Sequence, residues 1–114
     1  MKGYLGPARQ VWEQVPPDAV VGGLQTGALS WTAPPGAGVV NLDGVVDGES
    51  ARAFASGSLG ARARQRGITH LADWELNLRD VQARWGEPMD WGAITPQVLP
   101  TEGRLEVVIL ALPE

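Results

Sequence analysis

The stretch Val39-Val40-Asn41-Leu42-Asp43-Gly44-Val45-Val46-Asp47-Gly48-Glu49-Ser50 constrains what this chain can fold into more than any other. An apolar run stops at an Asp-Gly turn pair, and the chain then restarts as an alanine-rich, helix-compatible segment. That order spells a buried strand, a tight loop and a helix N-terminus. Asp47 stands where a helix cap is wanted, and Glu49 suits the positive first turn that follows. Ala51, Phe54 and Ala55 supply an apolar face until Ser56-Gly57-Ser58 interrupts. A second helical piece then runs from Leu59 to Arg66 and ends at Gly67, a residue type that closes helices well.

The rest of the chain is punctuated the same way. Residues 1–7 carry two glycines and a proline and read as an irregular lead-in. A short helix follows from Pro7 or Ala8 to Val15, with Val11, Trp12 and Val15 on one stripe, and Pro16-Pro17 stops it. Ala19 to Leu24 is the first strand. Thr26 is placed to cap a single helical turn that directs Leu29 inward. Thr32 to Gly38 is a loop. Ile68 to Trp74 is the third strand, followed by a helix from about Leu76 to Trp85. Leu78, Val81 and Trp85 line the inner side of that helix, with an Asp80–Arg84 pair outside. Pro88 to Leu99 is mixed, with Trp91 and Ile94 its buried members. Arg104 to Leu112 is the strongest strand signal and forms an antiparallel hairpin with the segment before it.

This alternation predicts one α/β domain over residues 1–114. The expected fold is a small Rossmann-like layered domain with a mostly parallel sheet, helices on both faces and a C-terminal antiparallel hairpin. The first strand is expected between the second and third.

Composition narrows the function classes. With 114 residues and 44% hydrophobic content, the chain can bury a modest core. The net charge of -4 gives nucleic-acid binding little support, because that function rests on cationic contacts to phosphates. Arg52, Arg62, Arg64 and Arg66 do cluster; a solvated helix face accounts for them, a phosphate site being the alternative. The absence of cysteine excludes disulfides and thiolate zinc sites. No apolar run reaches the roughly 18–20 residues of a membrane span. The opening residues lack the apolar core of a signal peptide, so by itself the chain reads as soluble and cytoplasmic. Action outside the cytoplasm would require a targeting segment beyond this sequence.

Several residues are candidates for chemistry. Asp43, Asp47 and Glu49 form the nearest approach to an acidic site, able to do acid–base work or to hold a hard cation. Each also has a structural use as turn, cap and first-turn acid. With Thr26, Asn41 and Gly44 they would rim a pocket at the ends of the strands, where open α/β sheets take ligands. Asn41 needs amide partners if buried; these are either a neighbouring loop such as Thr26-Gly27 or a sugar or phosphate. Gly22, Gly23 and Gly27 lack the spacing of a phosphate loop, so no cofactor is expected. His70, the only histidine, has neither a serine elbow nor cysteine partners and reads as structural. Five tryptophans are many for this length. Trp12, Trp74 and Trp85 suit packing, whereas Trp31 and Trp91 sit in loop-like surroundings that would suit contact with glycan, lipid headgroups or a membrane portion outside this sequence, core packing being the alternative.

Residues 11–74 resemble a known family. Val15-Pro16-Pro17-Asp18-Ala19-Val20-Val21, then Thr26-Gly27-Ala28-Leu29, then Val39 to Asp47 with its Asn41-Leu42-Asp43-Gly44, and finally Arg66-Gly67-Ile68-Thr69-His70-Leu71-Ala72-Asp73-Trp74 carry the resemblance. In this order they are similar to the soluble C-terminal domain of bacterial membrane proteins akin to dolichyl-phosphate-mannose protein mannosyltransferases. Asp47 stands where asparagine is common there, and His70 where an aromatic is usual. The resemblance implies a noncatalytic extracytoplasmic module of a multi-spanning glycosyltransferase-like protein. Its partners would be the membrane portion of that protein and a glycan or lipid-linked sugar. The competing expectation, from the residues alone, is a free-standing small α/β enzyme or ligand-binding domain with Asp43 and Asp47 lining a strand-end pocket, metal-assisted or not. A binding module for a nucleotide or small metabolite is a third, with no phosphate motif behind it.

Overall fold

The computed structural model of this chain describes residues 2–43, 48–101, 103 and 105–113. Helix α1 (Lys2–Gln14) leads into strand β1 (Val20–Gly23), the short helix α2 (Gly27–Thr32) and strand β2 (Gly38–Asn41). Helices α3 (Gly48–Ser56) and α4 (Leu59–Arg66) precede strand β3 (His70–Trp74) and helix α5 (Glu75–Ala83). A 3-10 turn at Trp91–Ala93 then leads to strands β4 (Gln97–Leu99) and β5 (Val107–Ala111).

The five strands form one sheet in the order β2-β1-β3-β5-β4. β1 lies between β2 and β3 and is parallel to both, with Val21 paired to Val39 on one side and to His70 on the other. β5 is antiparallel to β3 and to β4. The central place of β1 and the closing hairpin are as the sequence predicts. The expectation of a mostly parallel sheet is not met: two of the four strand pairings are antiparallel, so the sheet is mixed. The cause lies in the connection between Leu99 and Val107. It is too short for the crossover that a parallel neighbour needs, so the chain reverses and returns beside β3.

Alternation along the strands divides the core. Val107 and Ile109 join Val21, Ala72 and Leu99 in a cluster with Ala8 and Val11 of α1, Val15 just beyond it, and Ala28 and Leu29 of α2. Val108 and Leu110 point the other way, joining Val40 and Leu71 in a cluster with residues of α3, α4 and α5, among them Ala53, Leu59 and Val81, and with Trp85 just after α5. A strand buried on both sides has no polar alternate positions, which is why β5 reads as an unbroken apolar run.

α1 begins at Lys2, so residues 2–7, expected as a lead-in, are its first turns. Pro7 removes one donor from the helix. Burial of Ala8, Val11 and Val15 along one stripe outweighs that loss. The Trp12 indole N–H donates to Leu29 O at 3.1 Å and reaches Thr32 Oγ1 at 3.1 Å, fastening α1 to α2. α3 and α4 break at Gly57 as predicted, and Gly67 closes α4 in the left-handed conformation. The first amides of α4 have partners outside their own helix. Leu59 N and Gly60 N donate to Arg84 O and Trp85 O at 3.0 and 2.8 Å, so the end of α5 caps the start of α4.

Candidate functional site

β1 and β3 send their connections to opposite faces of the sheet, β1 into α2 and β3 into α5. The crevice between the carboxyl ends of two such strands is where open α/β sheets usually take ligands. In this protein the crevice is bridged from within. Asp73, the next-to-last residue of β3, is 0% exposed. Its Oδ2 accepts the backbone N–H groups of Leu24 and Gln25 at 2.6 and 3.0 Å. Its Oδ1 accepts Trp74 N at 2.7 Å and the Asn77 amide at 2.8 Å.

Local sequence explains the placement. Trp74 is extended at the mouth of α5, which turns the Asp73 side chain across to the β1 loop. Asn77 follows one helical turn later and meets the same carboxylate. Gly23 lets the strand ends close: a Cβ there would lie 2.6 Å from Ala72 O and 3.1 Å from Asp73 Oδ2. Burial pushes the Asp73 carboxyl above its ordinary value, against the opposing pull of its four N–H donors.

Asn41 grips the same loop from the other side. Its Nδ2 donates to Leu24 O and to Thr26 Oγ1, both at 3.1 Å, and its Oδ1 accepts Asp43 N at 3.0 Å. Of the two partners expected for Asn41, these bonds are to the neighbouring loop. Thr26 stands at the start of α2 but makes no side-chain cap; its hydroxyl serves Asn41 instead. The ends of β1, β2 and β3 are thereby tied through the segment Leu24–Thr26. Two adjacent N–H groups at the end of a first strand can cradle an anion. Here the protein's own carboxylate fills that cradle.

The other candidates disperse. Asp43 is half-buried in the turn held by Asn41. Glu49 is exposed on α3 and pairs with Arg62 at 2.9 Å. Gly44 and Asp47, the latter the expected cap, lie outside the described residues. Among the described residues no three His, Asp or Glu side chains gather as metal ligands would. Surface grooves of about 330 to 500 Å³ occur elsewhere, and Thr26, Asn41, Asp43 and Asp73 line none of these four. Trp31 is 80% exposed on α2. Trp91 packs edge-on to Trp85, ring centroids 5.1 Å apart at 78°, and also lines a groove beside α5. Trp85 is buried, and Trp12 and Trp74 pack against the α1–α2 side of the core. His70 lies at the opposite end of the sheet, where burial lowers its pKa.

Two residues escaped the sequence reading. Asp73 was visible only as a charge in an apolar run, a pattern that demands partners once the strand is buried. Arg62, counted with a solvated face, is 6% exposed. It joins α4 to α3 through Ser50 Oγ at 3.1 Å and Glu49, and to Gln65 on its own helix at 2.9 Å.

No protein-family profile, curated protein or solved structure matches the chain. Among the described residues no helix is long and apolar enough to cross a membrane.

Proposed function

We propose that this chain is a noncatalytic module of Rossmann-like layering, attached to or acting with a multi-spanning glycosyltransferase-like membrane protein on its extracytoplasmic side. In this reading it aids assembly of that protein or binding of its glycan acceptor. The resemblance over residues 11–74 supplies the partner and the location. The observation that supports the noncatalytic part is the Asp73 clasp, which fills the strand-end crevice with the chain's own carboxylate. A general acid or base must reach a substrate proton. Asp73 is shut from solvent, and both its oxygens are held by N–H donors of its own chain.

Three of the segments that carry the resemblance contribute to that clasp, since Asp73 and Asn41 both hold the loop after β1 and Thr26, at the end of that loop, receives the Asn41 amide. They act there as fold-specifying residues, which suits a module whose work is done by its surface. Trp31, standing out from α2, is the surface residue best suited to meet a sugar ring or a lipid headgroup.

The test is tryptophan fluorescence of the chain titrated with mannosides and, separately, with vesicles containing a polyprenyl phosphate. One of the two should change the emission saturably, and Trp31→Ala should remove the change while leaving the fold intact by circular dichroism. Silence with both would end the glycan and lipid contacts proposed here.

A further inference from the structure

We infer that the groove between α5 and the β4–β5 hairpin is a small-molecule site for an apolar body carrying a cationic head, an amine being the simplest case. This goes beyond the function proposed above and does not depend on it. The groove encloses about 470 Å³, within the roughly 300–1,000 Å³ typical of ligand clefts. It exists because α5 packs over β3 and β5 while β4 lies further out in the sheet. Val98 of β4 pairs with Val108 of β5, yet it remains 48% exposed. Leu78 from α5 and Val108 from β5 line the groove, and Trp91 and Ile94 from the segment before β4 wall it.

The polar lining is concentrated in Glu75, Arg79, Gln82 and Glu106. Glu75 N donates to Glu106 O at 2.9 Å, which brings the two acidic residues together where β3 ends and β5 begins. Arg79, one turn along α5, is ion-paired with Glu75. Glu106 makes no ion pair among the described residues. Among the described lining residues two carboxylates stand against one guanidinium, which favours a positive ligand over a negative one. The apolar walls call for an apolar remainder, and an aromatic ring would pack on Trp91.

The experiment uses the intact chain with phenethylamine and phenylacetate as probes, matched in ring and chain and opposite in charge. Binding is read from amide NMR shifts at Leu78, Val98 and Val108. Phenethylamine should shift these amides saturably, and phenylacetate should bind about fivefold more weakly or less. Glu106→Gln should cost the amine about fivefold in affinity and erase its advantage over the acid. Val98→Lys, at an exposed position that leaves the core untouched, should abolish amine binding by crowding and repulsion. The proposal fails if the amine gives no saturable shift at these amides, if phenylacetate binds as tightly, or if Glu106→Gln binds the amine undiminished.

Discussion

The Asp73 carboxylate and the Leu24 amide are separated by 49 residues of chain and meet at 2.6 Å. The bond is charge-assisted and shielded from water, and its partner N–H groups have nowhere else to turn. Asp73→Asn replaces one acceptor oxygen with an NH2 that faces donors, so at least one of Leu24, Gln25, Trp74 and Asn77 loses its partner. The expected loss of stability is about 2–3 kcal/mol. Asn77→Ala removes only one donor at a site half open to water, and should cost about 1 kcal/mol. Urea unfolding of both variants checks the order; equal losses would mean that the Leu24 and Gln25 bonds contribute nothing.

Gly23→Ala should be destabilising out of proportion to its size. The new methyl would sit 2.6 Å from Ala72 O, a backbone atom of the neighbouring strand that cannot swing aside. Forcing β1 from β3 also lengthens the Asp73 bonds, and overpacking of this kind costs about 1–3 kcal/mol. Thermal melting, with Gly6→Ala as a control where a Cβ meets no atom within 4 Å, separates a general glycine effect from this contact.

Arg62 and Arg64 lie two residues apart on α4 and should behave differently. Arg62→Ala leaves buried Ser50 without the bond from Nε and opens a gap between α3 and α4, for an expected loss of about 1–3 kcal/mol. Arg64, exposed and paired with Glu87, should tolerate alanine within about 0.5 kcal/mol. Paired urea titrations decide it; similar losses would place both side chains on a solvated face.

His70 gives the fold a pH dependence of known sign. Its partial burial favours the neutral ring, so its folded pKa lies below the ordinary 6.5. Between those two values the unfolded chain binds a proton that the folded chain does not. Its contribution to stability is therefore complete above 6.5 and is lost as pH falls through the folded value. As the only histidine, it can be titrated by NMR without assignment ambiguity. His70→Gln should flatten the stability profile in that window and leave the lower carboxylate region unchanged.

The parts of this fold that were legible in the sequence rest on local pattern. The three parallel strands announce themselves as apolar runs between turn residues, and the Ser56-Gly57-Ser58 break and the Asp80–Arg84 pair follow from spacing alone. Helix α1 was legible only in part. Its glycines and proline disfavour a helix, while the burial that overrides them depends on α2 and β5, far along the chain. The insertion of β5 beside β3 was hidden for the same reason. Arg62 left a trace, since it follows Leu59 by three residues and so falls on the stripe that faces the core. Asp73 left only the trace of a charge in a strand. Its role is written in the backbone of a loop that no pattern around residue 73 contains.

The order in which the strands appear along the chain does not match their order across the sheet. β5, last of the five to be synthesised, occupies an interior lane between β3 and β4. Until it emerges from the ribosome, β3 has an unpaired edge and both apolar layers lack Val107 to Leu110. The nascent chain must therefore hold its earlier elements in a provisional state, and cooperative folding waits for the final strand to thread its place.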